Sequence, residues 1–384
     1  MRIRVSGKPL LAMTMGAVVL AGCVSSAAIV PQPRAVPREA PPVTRGPGGS
    51  VSVPIGQPVR SAAPAPRGTM DPGFRRPPAG LNDRIAQLWK GFPGMTGIAV
   101  QRIDGEWALS QRGNDLFPQQ SVSKLWVVLS ILDAVDQGRV RLDQPVRIGR
   151  EDLTLFHQPL AARVQAEGSV TMSVRDLIET AITHSDNTAN DSLLRTVGGP
   201  EAVRRFISKK DLGSIRFGPG ERLLQSGTAG LTWQQSYSVG RAFQAARAAL
   251  PEAKRKAAMD NYLANPVDGA SPAAIASALT RLARGTLLSP ESTEYLLDVM
   301  SRTRSGPRRL KAGLPPGWQF LHKTGTGQDF KGMTAGYNDI GIATAPDGTR
   351  YAIVVMLGTT TSPIPARMAL MQAVSGAVAE FHGR

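Results

Sequence analysis

The pattern of apolar and polar positions separates an aperiodic amino-terminal stretch from a periodic remainder that begins near residue 81. Short alternating or apolar runs near both ends of this remainder predict strands, at residues 96–102, 107–110, 319–324, 337–344 and 351–357. Helical spacing dominates residues 121–300, and helices are also predicted at residues 82–89 and 365–381. The remainder therefore reads as strands, then helices, then strands again.

This order of elements predicts an α+β fold. The strands from the two ends would form one antiparallel sheet, and the residues between them would form an inserted all-helical lobe. A cleft between two such parts is the natural position for a functional site. We expect one domain over residues 81–384, built either as a single body or as two closely packed lobes.

The first residues have the pattern of an export signal. Basic residues precede an apolar run over residues 10–20 that is too short to span a bilayer, and small residues follow it. Residues 1–22 are therefore predicted to be a signal peptide. The ending Leu20-Ala21-Gly22-Cys23 resembles the lipobox of bacterial lipoproteins, in which the cysteine becomes the lipidated amino terminus.

Cys23 is the only cysteine of the chain, which excludes an internal disulfide and makes lipidation its best-supported use. A chance cysteine within a signal peptide is the alternative. Val24 stands where lipoproteins of the inner membrane carry aspartate, so the resemblance implies an anchor in the outer membrane, facing the periplasm. We expect the protein to be a monomer held at the membrane by this anchor.

Residues 23–80 are rich in Pro, Arg, Ala, Gly and Ser and have almost no aromatic residues. Such a composition cannot bury enough apolar surface to offset the entropy of ordering, which predicts a disordered tether. Its arginines contribute to the net charge of +16. That charge fits either attraction to anionic lipid or cell-wall polymer, or a solvated basic linker. No nucleic-acid-binding motif accompanies it, so nucleic acid is not a predicted partner.

The first candidate for chemistry is the pair Ser121-x-x-Lys124, at the first turn of a predicted buried helix. Residues three apart on a helix are neighbours, so a desolvated Lys124 could take the proton of the Ser121 hydroxyl and make it a nucleophile. Backbone N–H groups at a helix start can also hold an oxyanion. An N-capping serine beside a surface lysine is the alternative when this pair is considered alone.

Three further segments follow in order. Ser185-Asp186-Asn187 comes after an apolar helix, Glu221 stands four residues before Gln225, and Lys323-Thr324-Gly325-Thr326 lies on a predicted strand. Each match is weak alone, but the ordered set resembles the motifs of serine β-lactamases and penicillin-binding proteins. The residues around Met172, Gly198 and Asn338 resemble class A β-lactamases in particular.

The resemblance implies a role for each motif residue. Ser121 would attack the lactam carbonyl with Lys124 as its basic partner, and Ser185 would pass a proton to the ring nitrogen. Asn187 would hold the side-chain amide of the substrate. The substrate carboxylate would be received by Lys323, Thr324, Gly325 and Thr326, and the backbone N–H groups of Ser121 and Thr326 would form the oxyanion hole. No cofactor and no metal are implied.

Glu221 decides between reaction classes. An acyl-enzyme is released quickly only if a base activates water, and the family signature Glu-x-x-Leu-Asn supplies that base, with Gln225 in place of the asparagine here. An ordinary loop glutamate is the alternative. The nearest rivals to a β-lactamase are a D,D-peptidase or transpeptidase acting on peptidoglycan, and a β-lactam sensor that stays acylated. These rivals lack a deacylating glutamate.

The chain also departs from the family pattern. Pro219 stands where many members carry an arginine whose salt bridge ties the loop, so the loop must be held otherwise. Residues 226–270 are predicted to be an inserted helical hairpin, and exposed aromatic residues there would favour a tethered binding module. The arginine that assists carboxylate binding has no clear counterpart, although Lys331 and Arg367 are candidates. The four histidines lack zinc-ligand spacing and are interpreted as structural, with Phe156 or His157 as a cleft wall.

Overall fold

The computed structural model describes residues 76–105 and 107–383. The predicted signal peptide, Cys23 and nearly all of the predicted tether lie outside the described residues.

Within these residues the strands are β1 Met95–Arg102, β2 Ala108–Gln111, β3 Phe117–Pro118, β4 Pro145–Gly149, β5 Ser169–Ser173, β6 Gly269–Ala270, β7 Gln319–Thr326, β8 Asp329–Phe330, β9 Met333–Thr344 and β10 Arg350–Thr360. The helices are α1 Leu81–Lys90, α2 Lys124–Asp136, α3 Leu160–Glu167, α4 Val174–Thr183, α5 Asn187–Thr196, α6 Pro200–Lys209, α7 Glu221–Thr228, α8 Ala242–Ala249, α9 Glu252–Ala264, α10 Pro272–Ala283, α11 Pro290–Ser301 and α12 Ile364–Glu380.

The main sheet is antiparallel and joins strands from both ends of the domain, in the order β2-β1-β10-β9-β7. Side chains alternate between its two faces, as the period of a strand requires. Val100 and Ile353 pack with the helices α1 and α12, whereas Ala99 and Val354 belong to the core shared with the helical lobe. The predicted α+β fold, with one sheet made from both ends and a helical lobe between, is confirmed.

Helix α2 is the centre of the helical lobe. Its residues from Lys124 to Ala134 are all buried, which follows from an apolar sequence with no polar face. The helix is preceded by a 3-10 turn over Gln120–Ser123, and this turn carries Ser121. Ser121 therefore stands at the entry to a fully packed helix.

Residues 216–269 form a loop whose two ends meet. The N–H of Arg216 donates to the carbonyl of Gly269 at 2.8 Å, and the N–H of Ser271 donates to the carbonyl of Ser214 at 2.9 Å. The loop contains helices α7, α8 and α9. Backbone hydrogen bonds thus close the neck of the loop beside β3, which pairs with β6.

The aromatic residues of this loop pack on one another. Tyr237 and Phe243 are buried, with ring centroids 5.8 Å apart at an interplanar angle of 79°. Trp233 is half-buried and lies edge-on to Tyr237. An exposed aromatic surface, the feature that would favour a binding module, is absent from the described insertion. Among the described residues, no helix is both long enough and apolar enough to cross a membrane.

Candidate active site

Lys124 and Ser121 are in direct contact at the start of α2. Lys124 Nζ donates to Ser121 Oγ at 2.7 Å, and the lysine is completely buried. Gln120, just before the serine, has a φ of 55°, in the left-handed region that non-glycine residues rarely adopt. The chain thus turns sharply just before Ser121, the predicted nucleophile, and presents its hydroxyl to the lysine.

Two more predicted residues meet on the same ammonium group. Lys124 Nζ donates to Asn187 Oδ1 at 2.8 Å and forms an ion pair with the Glu221 carboxylate. The orientation of Asn187 is set by its Nδ2, which donates to the carbonyl of Leu155 at 2.8 Å. Lys124 therefore lies between the hydroxyl, the amide and the carboxylate, and its charge is balanced by Glu221.

The start of α7 explains how Glu221 is held without an arginine at position 219. The N–H groups of Glu221 and Arg222 donate to the two carboxylate oxygens of Asp191, at 3.1 and 3.4 Å. A carboxylate at a helix amino terminus pairs with unsatisfied N–H groups and with the positive end of the helix dipole. Asp191 was not among the predicted site residues. Its position one helical turn after Asn187 is the sequence feature that could have pointed to it.

Lys323 and Ser185 form the second half of the site. Lys323 Nζ donates to Ser185 Oγ at 2.9 Å, and Ser185 has a φ of 60°. Burial, and then the nearby charge of Lys124, lower the pKa of Lys323 well below its usual value. A bound carboxylate would restore the charged form, because an opposite charge at short range favours it. The site is thus prepared for an anionic substrate.

Gly325 allows β7 to lie directly against the nucleophile turn. A Cβ at this position would lie 2.3 Å from the carbonyl oxygen of Gln119, so a side chain here would force the strand away from that turn. Asn338 on β9 fixes the same turn from below, since its Nδ2 donates to the carbonyls of Pro118 and Gln119 at 2.8 and 3.0 Å. This close approach places β7, which carries Lys323 and Thr326, beside the turn that carries Ser121.

Arg309 is a site residue that sequence reasoning missed. Its Nη2 donates to Thr326 Oγ1 at 2.6 Å, and its guanidinium lies 3.8 Å from the centroid of the Tyr337 ring. Of the two candidates for this role, Lys331 instead pairs with Glu252, and Arg367 donates to the carbonyl of Ser362. Arg309 lies in an irregular segment between α11 and β7, where no periodic pattern marks a residue as inward-facing.

The histidines make structural contacts. His322 is buried on β7, and its Nδ1 lies 2.8 Å from Asp339 Oδ1, on the strand face opposite to Lys323. His157 Nε2 bonds the carbonyl of His184 at 2.7 Å. In the part of the chain that the structure describes, no three potential metal ligands cluster together.

Phe156, one of the two residues predicted to form a wall of the cleft, is 42% exposed. It follows Leu155, whose carbonyl orients Asn187, and its ring lies edge-on to Phe243 of α8 at 5.1 Å. The insertion thus packs against the segment that orients Asn187.

The sheet, the helical lobe and this arrangement of serines, lysines and glutamate define a serine enzyme of the class A β-lactamase type. The chain belongs to the Beta-lactamase enzyme family, whose sequence profile matches residues 80–381. It is 28% identical to the extended-spectrum β-lactamase PER-1 of Pseudomonas aeruginosa over 302 residues, which cover 78% of this chain and 87% of that protein.

Solved structures agree with this assignment. The TLA-1 extended-spectrum β-lactamase superposes with a TM-score of 0.66 at 26% identity, covering 79% of this chain and 98% of that one. A β-lactamase from Chitinophaga pinensis superposes with a TM-score of 0.64, also at 26% identity, covering 78% of this chain and 98% of the other.

Proposed function

We propose that this protein hydrolyses the amide bond of β-lactams through an acyl-enzyme on Ser121. The observation that carries the proposal is the position of Lys124, which contacts Ser121, Asn187 and Glu221 at once. One buried group thereby connects the nucleophile, the residue for substrate binding and the base for water activation.

Acylation requires a neutral amine beside the hydroxyl. Glu221, in direct contact with Lys124, is the group that can hold the lysine proton while Lys124 takes the proton of Ser121. The Ser121 oxygen then bonds to the lactam carbonyl carbon, and the ring C–N bond breaks. Lys124 delivers its proton through Ser185 to the ring nitrogen, and Glu221 returns the first proton to Lys124.

Deacylation uses the carboxylate of Glu221, which these proton transfers return to its ionised form. Glu221 takes a proton from a water molecule that attacks the ester carbonyl, the bond to Ser121 Oγ breaks, and the proton passes back to that oxygen. Gln225 Nε2, 3.3 Å from Glu221 Oε2, helps to hold the carboxylate in place.

Substrate binding uses the cations on the other side of the serine. Lys323, with Thr324 and Thr326, would receive the carboxylate of the β-lactam, and Arg309 adds a positive charge through its bond to Thr326. The side-chain amide of Asn187 would form a hydrogen bond with the side-chain amide of the substrate. The similarity to the β-lactamases PER-1 and TLA-1 supports β-lactams as the class of substrate. A peptidase or sensor has no use for a base at the position of Glu221.

The decisive experiment follows hydrolysis of a chromogenic cephalosporin by the purified protein, by Ser121→Ala and by Glu221→Gln. We expect many turnovers for the wild type and none for Ser121→Ala. For Glu221→Gln we expect an acyl adduct that forms more slowly, because the group that holds the Lys124 proton is lost, and that then persists by intact mass because no base activates water. A stoichiometric burst from the wild type would instead indicate a penicillin-binding protein or sensor. Covalent labelling of folded Ser121→Ala would remove Ser121 as the nucleophile.

We also propose that the enzyme works in the periplasm, anchored by lipid on Cys23 in the outer membrane because Val24 follows the cysteine. The support is the lipobox-like ending of the apolar leader and the single cysteine.

A further inference from the structure

A tyrosine of the insertion reaches the residue that precedes the nucleophile. Tyr262, near the end of α9, accepts a hydrogen bond from Gln120 Nε2 at 2.7 Å and donates its own proton to Asp268 Oδ1 at 2.9 Å. A carboxylate can only accept, so the single hydroxyl proton is committed to Asp268 and the hydroxyl oxygen must face a donor. All three side chains are buried, which makes each of these bonds costly to lose.

The chain of hydrogen bonds continues from Gln120 to the predicted base. Because Gln120 Nε2 faces Tyr262, its Oε1 faces the other way and accepts from Gln225 Nε2 at 3.2 Å. Gln225 Nε2 is shared with Glu221 Oε2 at 3.3 Å. The amide N–H of Gln225 therefore faces the carboxylate of Glu221, and its Oε1 faces away and accepts from Gln328 Nε2 at 3.0 Å.

The backbone of the nucleophile turn is held from the same place. The N–H of Gln120 donates to Asp268 Oδ2 at 2.8 Å. A non-glycine residue in the left-handed region persists only when its surroundings over-determine it. Asp268 holds the backbone of Gln120 and Tyr262 holds its side chain, and Ser121 is the next residue.

Apolar packing couples Tyr262 to the loop that carries Glu221. Tyr262 and Met259 of α9 form a cluster with Leu224 of α7 and with Phe330 of β8. Helix α7 begins at Glu221. A shift of α9 would therefore move both ends of the hydrogen-bond chain.

We propose that Tyr262 is a positioning residue for deacylation, holding Gln120 and, through Gln225, the carboxylate of Glu221 in the geometry that activates water. The inference rests on the proposed hydrolysis and gives α9 of the insertion a role in turnover. Removing the hydroxyl leaves Asp268 Oδ1 without this donor and leaves Gln120 Nε2 with the carbonyl of Ala335, at 3.1 Å, as its remaining acceptor. The Gln120 amide is then held less firmly, and Gln225, which donates to it, loses part of its support. A misplacement of about 1 Å can cost on the order of 100-fold in rate.

The test compares Tyr262→Phe with Tyr295→Phe in the full protein. Tyr295 is a matched control because its hydroxyl donates to a backbone carbonyl, that of Arg175, at 3.2 Å, away from the site. Stopped-flow and intact-mass measurements with a chromogenic cephalosporin separate acylation from deacylation. For Tyr262→Phe we expect deacylation to fall at least about tenfold, with accumulation of acyl-enzyme, while acylation stays within about threefold. Tyr295→Phe should leave both steps unchanged.

Two outcomes would overturn this inference. One is a deacylation rate in Tyr262→Phe equal to that of the wild type. The other is an equal loss of acylation and deacylation rates, which would indicate that the whole site has lost its geometry. Neither outcome affects the proposed hydrolysis, which wild-type turnover tests by itself. Gln120→Leu removes the next link and should show the same selective loss, so the proposal stays testable if Tyr262→Phe does not fold.

A double-mutant cycle gives a readout that a purely structural role would not move. If Tyr262 acts through Gln225, adding Gln225→Ala to Tyr262→Phe should reduce deacylation little beyond the larger single effect. A combined loss equal to the product of the two single losses would contradict a common path.

Discussion

Arg309 is the residue whose role in binding can be measured most directly. Its guanidinium bonds Thr326 and stacks on Tyr337, so it adds positive charge where the substrate carboxylate would lie. We expect Arg309→Met to raise KM about tenfold or more and to change kcat little, because the interaction is made in the ground state and the transition state alike. Steady-state kinetics with a penicillin and a cephalosporin would measure this.

Lys331→Met is the matched control, since this cation is exposed and paired with Glu252. It should leave KM within about twofold of the wild type. A larger increase in KM for Lys331→Met than for Arg309→Met would indicate that the substrate carboxylate binds near the turn between β8 and β9 instead.

Asp268 makes stability depend on pH. Its carboxyl is fully buried, and burial raises its pKa from the ordinary 3.8 to about 6. The folded protein therefore binds this proton more tightly than the unfolded chain does, and the stability from this group is present at low pH and is lost as the pH rises through 6. Relative to Asp268→Asn, the wild-type free energy of unfolding should fall by roughly 1 kcal/mol from about pH 5 to pH 8.

Urea denaturation across this pH range would measure the difference. Asp143→Asn is the control, because Asp143 is exposed and the neighbouring Arg141 lowers its pKa, so its stability difference from the wild type should not fall in this range. Parallel curves for the wild type and Asp268→Asn would show that the raised pKa of Asp268 has no effect on folding.

At the residue scale, the sequence motifs predicted which side chains to examine but not the residues that hold them. The Ser121-x-x-Lys124 spacing and the ordered motifs led to groups that the structure brings together around one ammonium. Asp191, Arg309 and Tyr262 belong to no motif. Each forms a hydrogen bond with a residue distant in sequence. Such hydrogen bonds do not change the spacing of apolar and polar residues, so the sequence of a single chain does not reveal them.

At the scale of elements, α9 supports the loop of Glu221 by packing. Met259 is buried in the cluster of Leu224, Tyr262 and Phe330. Met259→Ala should cost about 2–5 kcal/mol and should act first on the free energy of local opening of α7 and α9. Amide hydrogen exchange by mass spectrometry should show faster exchange in those two helices than in the wild type.

Met371→Ala is the matched control for that experiment. Met371 is equally buried, but it lies in α12 against the outer face of the sheet. Its loss should lower the stability of the domain as a whole without singling out α7 and α9. Equal exchange patterns for the two variants would mean that the insertion is not a separate cooperative unit.

The regular elements were the most predictable part of the fold. Alternation and helical spacing located the terminal strands and the closing helix, with differences at the ends: β9 begins at Met333 rather than at residue 337. The two short pairings β3–β6 and β4–β5 were not predicted. Strands β3 and β6 have only two residues each, too few for a period, and they lie on either side of the insertion, so only the folded chain reveals that the loop closes on itself. Strands β4 and β5 have five residues each and lie within the range where helical spacing dominates.

At the scale of the whole molecule, catalysis and location should be separable. The groups proposed for catalysis all lie within residues 121–326, whereas the proposed anchor is Cys23, outside the described residues. Cys23→Ser should therefore release the protein from membranes and leave kcat unchanged, because acyl chains, at about 0.8 kcal/mol per buried methylene, supply the attachment. Fractionation by ultracentrifugation, with activity measured in both fractions, would check this.

The arginine-rich residues 24–80 offer a second means of attachment, through anionic lipid, and salt distinguishes the two. At 1 M salt the Debye length falls to about 3 Å, so electrostatic binding is lost while a lipid anchor holds. Wild-type protein should stay with the membrane after such a wash, and Cys23→Ser should not be found there. Val24→Asp should keep the anchor but shift it to the inner membrane. Retention of Cys23→Ser after the high-salt wash would contradict lipidation and leave the basic segment with an affinity that charge alone does not explain.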